Sequence, residues 1–375
     1  MANNNKHTGP NVPALRFPEF SGEWETKTML EIAPLQRGFD LPKGNIRPGD
    51  IPVVYSNGIM STHNQSKCIG PGVITGRSGT IGSFTFIPNG PYWPHNTALW
   101  VTNFCGNVPL FIYHLYSHIG IVRFASGSGV PTLNRNDVHK HITSIPSNLR
   151  EQNKIASFLS LLDDRIETQS KIIEELTTLR SALLEKIFQV SNPTLEVGAI
   201  AHQTSERNKL CRYSNVLSVS NRFGFINQSE QFEDRNVASD DVRNYKVVHR
   251  GDFAYNPARI NVGSIAMLKS FESGIVSPMY ICFQVDDTIV DPSFFELFLE
   301  TKAFKDEMEI RLEGSVRRCL SFEALCEIHL PRPALLVQRS ISNKIGNISA
   351  KIKLEDRILR AYIRQKEWLL KQMFI

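Results

Sequence analysis

The sequence contains no long apolar run and no paired cysteines. In its 375 residues, no stretch approaches the roughly 18 uninterrupted apolar residues that mark a membrane-spanning helix. Residues 1–25 lack the apolar core of a signal peptide. Its six cysteines include no C-x-x-C pair, so neither a zinc knuckle nor a disulfide framework has the required spacing. These absences predict a cytoplasmic chain with reduced thiols and no membrane association.

Basic residues are too few for a surface that binds nucleic acid through charge alone. The net charge is +5 at pH 7. Counted by segment, it is +4 for residues 1–148, −1 for 149–190, −4 for 191–334 and +6 for 335–375. Neutralisation of DNA phosphates by Lys and Arg supplies most non-specific affinity. Any DNA binding must therefore use local patches or the charge of a partner.

Motifs of catalysis and metal binding are also missing. The glycine-rich stretch 70–79 has the wrong spacing for a phosphate loop, and Arg77 replaces its lysine, so a turn between strands is predicted. Residues 255–258 resemble the N-P-P-aromatic box of adenine methyltransferases but depart from it, and no F-x-G-x-G cofactor loop accompanies them. His139 and His141 have no carboxylate or thiol at ligand spacing. We expect no catalytic residue, metal or cofactor in this chain.

The chain does contain an internal repeat. Residues 149–188 and 335–374 match at a constant offset of 186, and each predicts a helix of about 57 Å. Apolar residues recur at alternating steps of three and four, as in a coiled coil, and polar interruptions such as Arg180 and Lys366 also match. The predicted seam positions are Ile155, Leu159, Leu162, Ile166, Ile173, Leu176, Leu183, Ile187, Ile341, Ile345, Ile348, Ile352, Leu359, Tyr362, Leu369 and Met373.

The segments between the helices repeat more faintly. GRSGTIGSF (76–84) resembles ARINVGSIA (258–266), and GSGVPTL (127–133) resembles EGSVRRCL (313–320). The blocks GSGVPTL and EGSVRRCL are each followed by a short polar helix signal and a strand that ends near proline. The sequence therefore predicts one unit, a mixed α/β globule followed by a long helix, present twice.

Three features together resemble the DNA-specificity subunit of type I restriction-modification systems. They are the entry VPALRFPEFSGEWE (12–25), the run of motifs over 251–283, and the duplicated helices. The resemblance implies an α+β fold with two mixed α/β target-recognition domains in pseudo-two-fold repeat, separated by two long helices that pack as an antiparallel coiled coil. The implied segments are a flexible N-terminus (1–12), recognition domain 1 (13–148), a central spacer helix (149–190), recognition domain 2 (191–334) and a C-terminal spacer helix (335–375).

The same resemblance implies a non-catalytic subunit. Each recognition domain would read half of a bipartite, asymmetric site on double-stranded DNA, and the helices would dock two modification subunits. Adenine methylation from S-adenosylmethionine, and cleavage driven by ATP with Mg²⁺, would belong to the modification and restriction subunits. The implied role is DNA methylation and host defence.

Candidate DNA contacts lie in loops rich in Arg, Asn, Ser and aromatic residues. Arginine can bind guanine with two hydrogen bonds, Asn or Gln can bind adenine, and hydroxyls bind phosphates. Matching loops occur in both halves. The predicted contacts are Asn57, Arg77, Ser78, Thr80, Tyr92, His95, Asn96, Ser126, Ser128, Asn221, Arg222, Asn256, Arg259, Asn261, Arg317 and Arg318.

Three other hypotheses remain open at the level of sequence. One is the specificity subunit of a type IIB-like enzyme, which differs only in its partner. The second is an interaction scaffold whose long helices assemble other proteins and whose globules bind no DNA. The third is an autonomous methyltransferase, which the missing cofactor loop opposes.

Overall fold

The computed structural model describes residues 11–127, 131–189, 194–221, 223–228, 241–314 and 318–375. The chain divides into two compact units. Unit 1 is Met1–Lys171 with Asp356–Ile375, and unit 2 is Ile172–Glu355. Each unit therefore contains one globular segment and half of each long helix.

Unit 1 is built on two four-stranded sheets. One has the order β2-β9-β6-β7 with antiparallel neighbours, and the other has the order β4-β3-β8-β5, in which β3 and β8 are parallel. Two shorter antiparallel pairs are β1-β12 and β10-β11. The elements are β1 Glu25–Thr28, α1 Met29–Ile32, β2 Leu35–Arg37, β3 Ile51–Tyr55, β4 Gly58–His63, β5 Cys68–Ile69, β6 Gly72–Gly76, β7 Phe84–Ile87, β8 Pro91–Pro94, β9 Ala98–Val101, α2 Pro109–Ile119, β10 Ala125–Ser126, β11 Thr132–Leu133, α3 Arg135–His139 and β12 Ile142–Ile145.

Unit 2 repeats the β2-β9-β6-β7 sheet of unit 1, and we call these two corresponding sheets the central sheets. Its four-stranded sheet has the order β14-β21-β18-β19, again antiparallel throughout. The pairs β13-β22, β15-β16 and β17-β20 surround it. The elements are β13 Thr194–Glu196, β14 Ala201–Thr204, β15 Leu217–Ser220, β16 Gly224–Asn227, β17 Lys246–His249, β18 Phe253–Tyr255, β19 Ile265–Met267, β20 Ser273–Val276, β21 Ile281–Val285, α5 Pro292–Glu300, α6 Lys302–Arg311, α7 Phe322–Cys326 and β22 His329–Pro331.

The short helices before the last strand of each globule begin at side-chain caps. Asn134 accepts a hydrogen bond from the Asn136 N–H at the start of α3, and Ser321 accepts one from the Ala324 N–H at the start of α7. Each helix is followed by a strand that pairs with the first strand of its globule. The predicted order of a short polar helix and a strand ending near proline is therefore present in both units.

The two long helices are α4 Leu149–Gln189, with 41 residues, and α8 Leu335–Met373, with 39 residues. In unit 1 the first turns of α4 share a core with the last turns of α8, and in unit 2 the last turns of α4 share a core with the first turns of α8. The helices are thus antiparallel in each unit, which confirms the predicted α+β fold with two long antiparallel helices. All sixteen predicted seam residues are buried or half-buried.

Polar pairs interrupt the helix seam at equivalent positions. In unit 1 Lys366 forms an ion pair with Asp163. In unit 2 Arg180 donates from Nε to the Ser349 hydroxyl at 2.7 Å and forms an ion pair with Glu300 at 2.8 Å. Asp163 and Ser349 lie 186 residues apart, as do Arg180 and Lys366. The matched polar interruptions of the sequence are therefore matched polar contacts across the helices.

A buried glutamine joins each globule to its long helix. Gln152 accepts a hydrogen bond from the Val108 N–H at 2.9 Å, just before α2, and donates to Asn107 and Pro146 at 2.8 Å. Gln338, its counterpart 186 residues later, accepts from the Asp291 N–H at 2.9 Å, just before α5, and donates to the Pro333 carbonyl at 2.8 Å. The glutamines are 1% and 0% exposed. Because each satisfies backbone groups at a helix start, each fixes one globule on one helix.

Candidate nucleic-acid interface

The central sheets of the two units carry equivalent turns. In unit 1 the turn between β6 and β7 contains Gly82 with φ 94°, and in unit 2 the turn between β18 and β19 contains Gly263 with φ 88°. Both glycines adopt the left-handed conformation that other residues rarely reach. The two turns are the blocks that align in the sequence, and they connect the third and fourth strands of sheets with identical order. Arg77 precedes Gly82 in the turn of unit 1, and Arg259 precedes Gly263 in the turn of unit 2.

Three arginines line one open groove of about 390 Å³ in unit 1. Arg37 ends β2, Arg77 follows β6 and Arg135 begins α3. Asn134 also lines the groove. Arg37 and Arg135 are exposed, whereas Arg77 is half-buried. Only Arg77 was predicted from the sequence. The other two are distant in sequence and are brought together by the order of the strands and the position of α3.

Arg77 is held in place by its surroundings. Its N–H donates to the Thr97 carbonyl at 2.8 Å, and its carbonyl accepts from the Leu133 N–H at 2.7 Å. Its side-chain Nη1 donates to the Asn96 carbonyl at 3.2 Å. These contacts hold the backbone of Arg77 and one nitrogen of its guanidinium, Nη1. The groove therefore presents one anchored cation together with two exposed ones.

The other predicted contacts of unit 1 do not line this groove. Asn57 is exposed in the turn after β3, Ser78 and Thr80 follow Arg77, and Ser126 is exposed at the end of β10. The loop before β9 holds His95, whose Nδ1 lies 3.0 Å from the Thr97 hydroxyl and whose ring centroid lies 4.2 Å from that of Tyr55. Burial lowers the pKa of His95, which favours the neutral ring. Asn96 hydrogen-bonds Asp40.

Tyr92 is the exception among these predictions. Its side chain is 1% exposed and belongs to a core cluster with Cys68 and Ile74. Its ring also fills the space above Gly72, where a Cβ atom would lie only 2.6 Å from the ring. Tyr92 therefore supports the sheet and has no surface for a base, so the prediction that it contacts DNA is wrong.

In unit 2, three predicted residues line one cleft of about 250 Å³. These are Asn221, Asn256 and Arg259. The Asn256 side chain accepts from the Ala258 N–H at 3.1 Å, and its amide nitrogen lies 3.6 Å from the Met279 sulfur. Asn221 and Arg259 are exposed. Gln228 also lines this cleft, so it presents three side-chain amides and one cation, a different chemistry from the arginine groove of unit 1.

The remaining predictions have mixed outcomes. Asn261 is exposed in the same turn as Arg259. Arg318 forms an ion pair with Glu309, so its charge is already compensated. Three predicted residues lie outside the described part of the chain: Ser128, Arg222 and Arg317.

The described residues include no group of three or more His, Cys, Asp or Glu side chains able to hold a metal ion. Burial raises the pKa of Cys68 to about 11 and that of Cys282 to about 12, so both thiols stay protonated at neutral pH. No described helix combines the length and the apolar character needed to cross a membrane.

Comparison with known proteins identifies the domain. Residues 21–178 match the model of the type I restriction modification DNA specificity domain. Over these residues the chain is similar to a type I restriction-modification DNA specificity domain. This match covers the globule of unit 1 and most of α4.

The whole chain has the fold of a type I specificity subunit. The S subunit of a type I restriction-modification system from M. genitalium is 17% identical, with a TM-score of 0.65 over 97% of this chain and 99% of that chain. A second structure, which concerns complex assembly and conformational transition of a type I system, is 13% identical, with a TM-score of 0.52 over 93% of this chain and 97% of that chain. Curated protein sequences give no match.

Proposed function

We propose that this chain is the DNA-recognition subunit of a type I restriction-modification complex, and that each unit reads one half of a bipartite site on double-stranded DNA. The observation that carries the proposal is the pair of equivalent turns on equivalent sheets. One turn borders a groove with three arginines, and the other borders a cleft with two asparagines and one arginine. These are side chains that read guanine and adenine in the major groove.

The proposal assigns the chemistry to partner subunits. The chain itself is non-catalytic and needs no cofactor, while modification subunits would use S-adenosylmethionine and restriction subunits would use ATP and Mg²⁺. The segment 191–334 carries a net charge of −4, which leaves few cations to neutralise phosphates. We therefore expect specific DNA binding only when the modification subunits are present, in the cytoplasm where the complex would act.

The outer faces of the long helices are the proposed docking sites for two modification subunits. They expose large apolar side chains: Leu161 is 61% and Trp368 is 55% exposed in unit 1, and Leu179 and Leu354 are each 49% exposed in unit 2. Solvent-exposed apolar patches of this kind commonly mark protein interfaces, and Trp is enriched at their energetic centres. One set lies in each unit, which agrees with two copies of a partner.

The test is a binding and methylation assay on the reassembled complex. The chain is co-purified with candidate modification subunits, and methylated positions are mapped in DNA exposed to the complex. We expect methylation at one bipartite motif and loss of it when the chain is omitted. Methylation that does not depend on this chain would contradict the proposal, and assembly without DNA binding would favour a scaffold.

The same assay separates the type IIB-like alternative. In that case one partner polypeptide carries both modification and cleavage, so the complex would cut DNA near its motif without a separate ATP-driven subunit. ATP-dependent cleavage that requires a third subunit favours the type I proposal.

A further inference from the structure

The arginine groove of unit 1 contains cations in two different states. Arg77 is half-buried and anchored, whereas Arg37 and Arg135, which line the same groove, are exposed. The Arg37 guanidinium lies 3.7 Å from the Asp40 carboxylate, a loose and solvent-exposed pair. An anchored arginine suits the reading of a base, which requires a fixed geometry, whereas an exposed and mobile arginine is sufficient to bind a phosphate.

Arg77 keeps hydrogen-bonding capacity after its anchoring contact. A guanidinium has five N–H donors. Among the described residues, the side chain of Arg77 makes one hydrogen bond, from Nη1 to the Asn96 carbonyl. The edge formed by Nε and Nη2 can still present two parallel donors. That edge matches the O6 and N7 acceptors of guanine in the major groove.

The anchor of Arg77 also lowers the cost of binding. Its backbone is bonded to both Thr97 and Leu133, and its side chain is bonded to the loop before β9. An arginine that is already ordered loses less side-chain entropy when it meets a base. In the same loop, the His95 Nδ1 atom lies 3.0 Å from the Thr97 hydroxyl, a hydrogen bond within the segment that holds Arg77.

We propose that Arg77 reads a guanine in the half-site of unit 1, and that Arg37 and Arg135 bind the phosphates beside it. This inference rests on the proposed function and deepens it by assigning separate roles within one groove. Arg37 and Arg135 do not occur in any sequence motif that pointed to DNA. Their role follows only from the groove in which they meet Arg77.

The experiment uses the full chain in complex with its modification subunits. The motif of the wild-type complex is mapped first, and duplex oligonucleotides are then made with one base pair changed at a time. Binding is measured for Arg77→Ala, Arg77→Lys, Arg135→Ala and Arg37→Ala. The control is Arg123→Ala, an exposed arginine of unit 1 whose guanidinium lies 4.9 Å from the Phe124 ring centroid and outside the groove.

We expect Arg77→Ala to lose discrimination at one G·C pair of one half-site, by about 10- to 100-fold, with the other half-site unchanged. Arg77→Lys should lose most of it as well, because an ammonium cannot form the two-donor fork. Arg135→Ala and Arg37→Ala should weaken all sequences alike and each reduce the salt slope by about one. Arg123→Ala should change neither quantity.

The outcomes separate this inference from the proposed function. If the wild-type complex shows no sequence preference, the proposed function fails. If the wild-type complex is specific and Arg77→Ala weakens every sequence equally, or leaves the guanine preference intact, only the inference about Arg77 is overturned. Misfolding of Arg77→Ala would lower the thermal stability of unit 1 and reduce binding to all duplexes alike. In that case Arg77→Lys is the deciding variant. Loss of discrimination at one G·C pair supports the inference, and unchanged discrimination overturns it.

Discussion

The buried glutamine of each unit gives a direct test of how globule and helix are joined. In the Gln152→Ala variant, the Val108 N–H, the Asn107 side chain and the Pro146 carbonyl would each lose a partner. A net hydrogen bond contributes about 1 kcal/mol, and an unsatisfied buried group costs about 1 to 3 kcal/mol. Allowing for relaxation, we expect a loss of about 3 to 4 kcal/mol in the free energy of unfolding.

The equivalent variant of unit 2 should behave in the same way. Gln338→Ala leaves the Asp291 N–H and the Pro333 carbonyl without partners, so we expect about 2 to 3 kcal/mol. Gln152→Met keeps the length of the side chain and removes only its hydrogen bonds, so most of the loss should remain. Gln365→Ala, at an exposed position of α8, should change stability by less than about 0.5 kcal/mol.

Urea unfolding combined with hydrogen exchange measures both the size and the place of the effect. The Val108 N–H should lose protection in Gln152→Ala, and the Asp291 N–H should lose protection in Gln338→Ala. Unchanged protection at both amides, or a loss under about 1 kcal/mol in the Ala and Met variants, would show that the glutamines do not fix the globules on the helices.

Three further predictions concern unit 1. Phe374→Ala should cost about 3 kcal/mol in thermal unfolding, because this residue is 3% exposed and packs 5.3 Å from the Phe111 ring, and a cost under about 1 kcal/mol would contradict the packing. A double-mutant cycle with Lys366→Met and Asp163→Asn should give a coupling of about 1 kcal/mol, and zero coupling would show an incidental contact. Burial, assisted by the charge of Lys366, lowers the pKa of His114 to about 3. The unfolded chain therefore binds a proton that the folded chain does not, so stability should fall as pH falls from about 6.5 towards about 3. His114→Asn should flatten this fall in urea unfolding, and parallel profiles would refute it.

The helices and the duplication could be predicted because their signals are local or periodic. Heptad spacing and the constant offset of 186 residues require no knowledge of the fold, and both long helices begin at the predicted residues, Leu149 and Leu335. The roles of Gln152 and Gln338 were missed, although they also match at this offset, because a polar residue in the first turn of a helix looks solvated until its partners are known.

The site was predictable only where turn chemistry marks it. The matched blocks, with their paired glycines Gly82 and Gly263, pointed to the turns of Arg77 and Arg259. In the structure both glycines have positive φ. The groove itself depends on strand order, which brings Arg37 and Arg135 to Arg77 from distant parts of the sequence. The sequence could not place these contacts, since long-range pairing of strands leaves no local signal. Tyr92 was assigned to DNA by its type, but it lies in β8, where Tyr92, Trp93 and Pro94 are all buried, and its ring packs in a core cluster.

The central claim is that each unit reads its own half of one DNA site. The most direct measurement is a methylation map of DNA after residues 13–148 have been replaced by the corresponding segment of another specificity subunit with a known site. The account predicts that one half-site changes to that of the donor while the other half-site stays as it was. A change in both half-sites, or in neither, would contradict it.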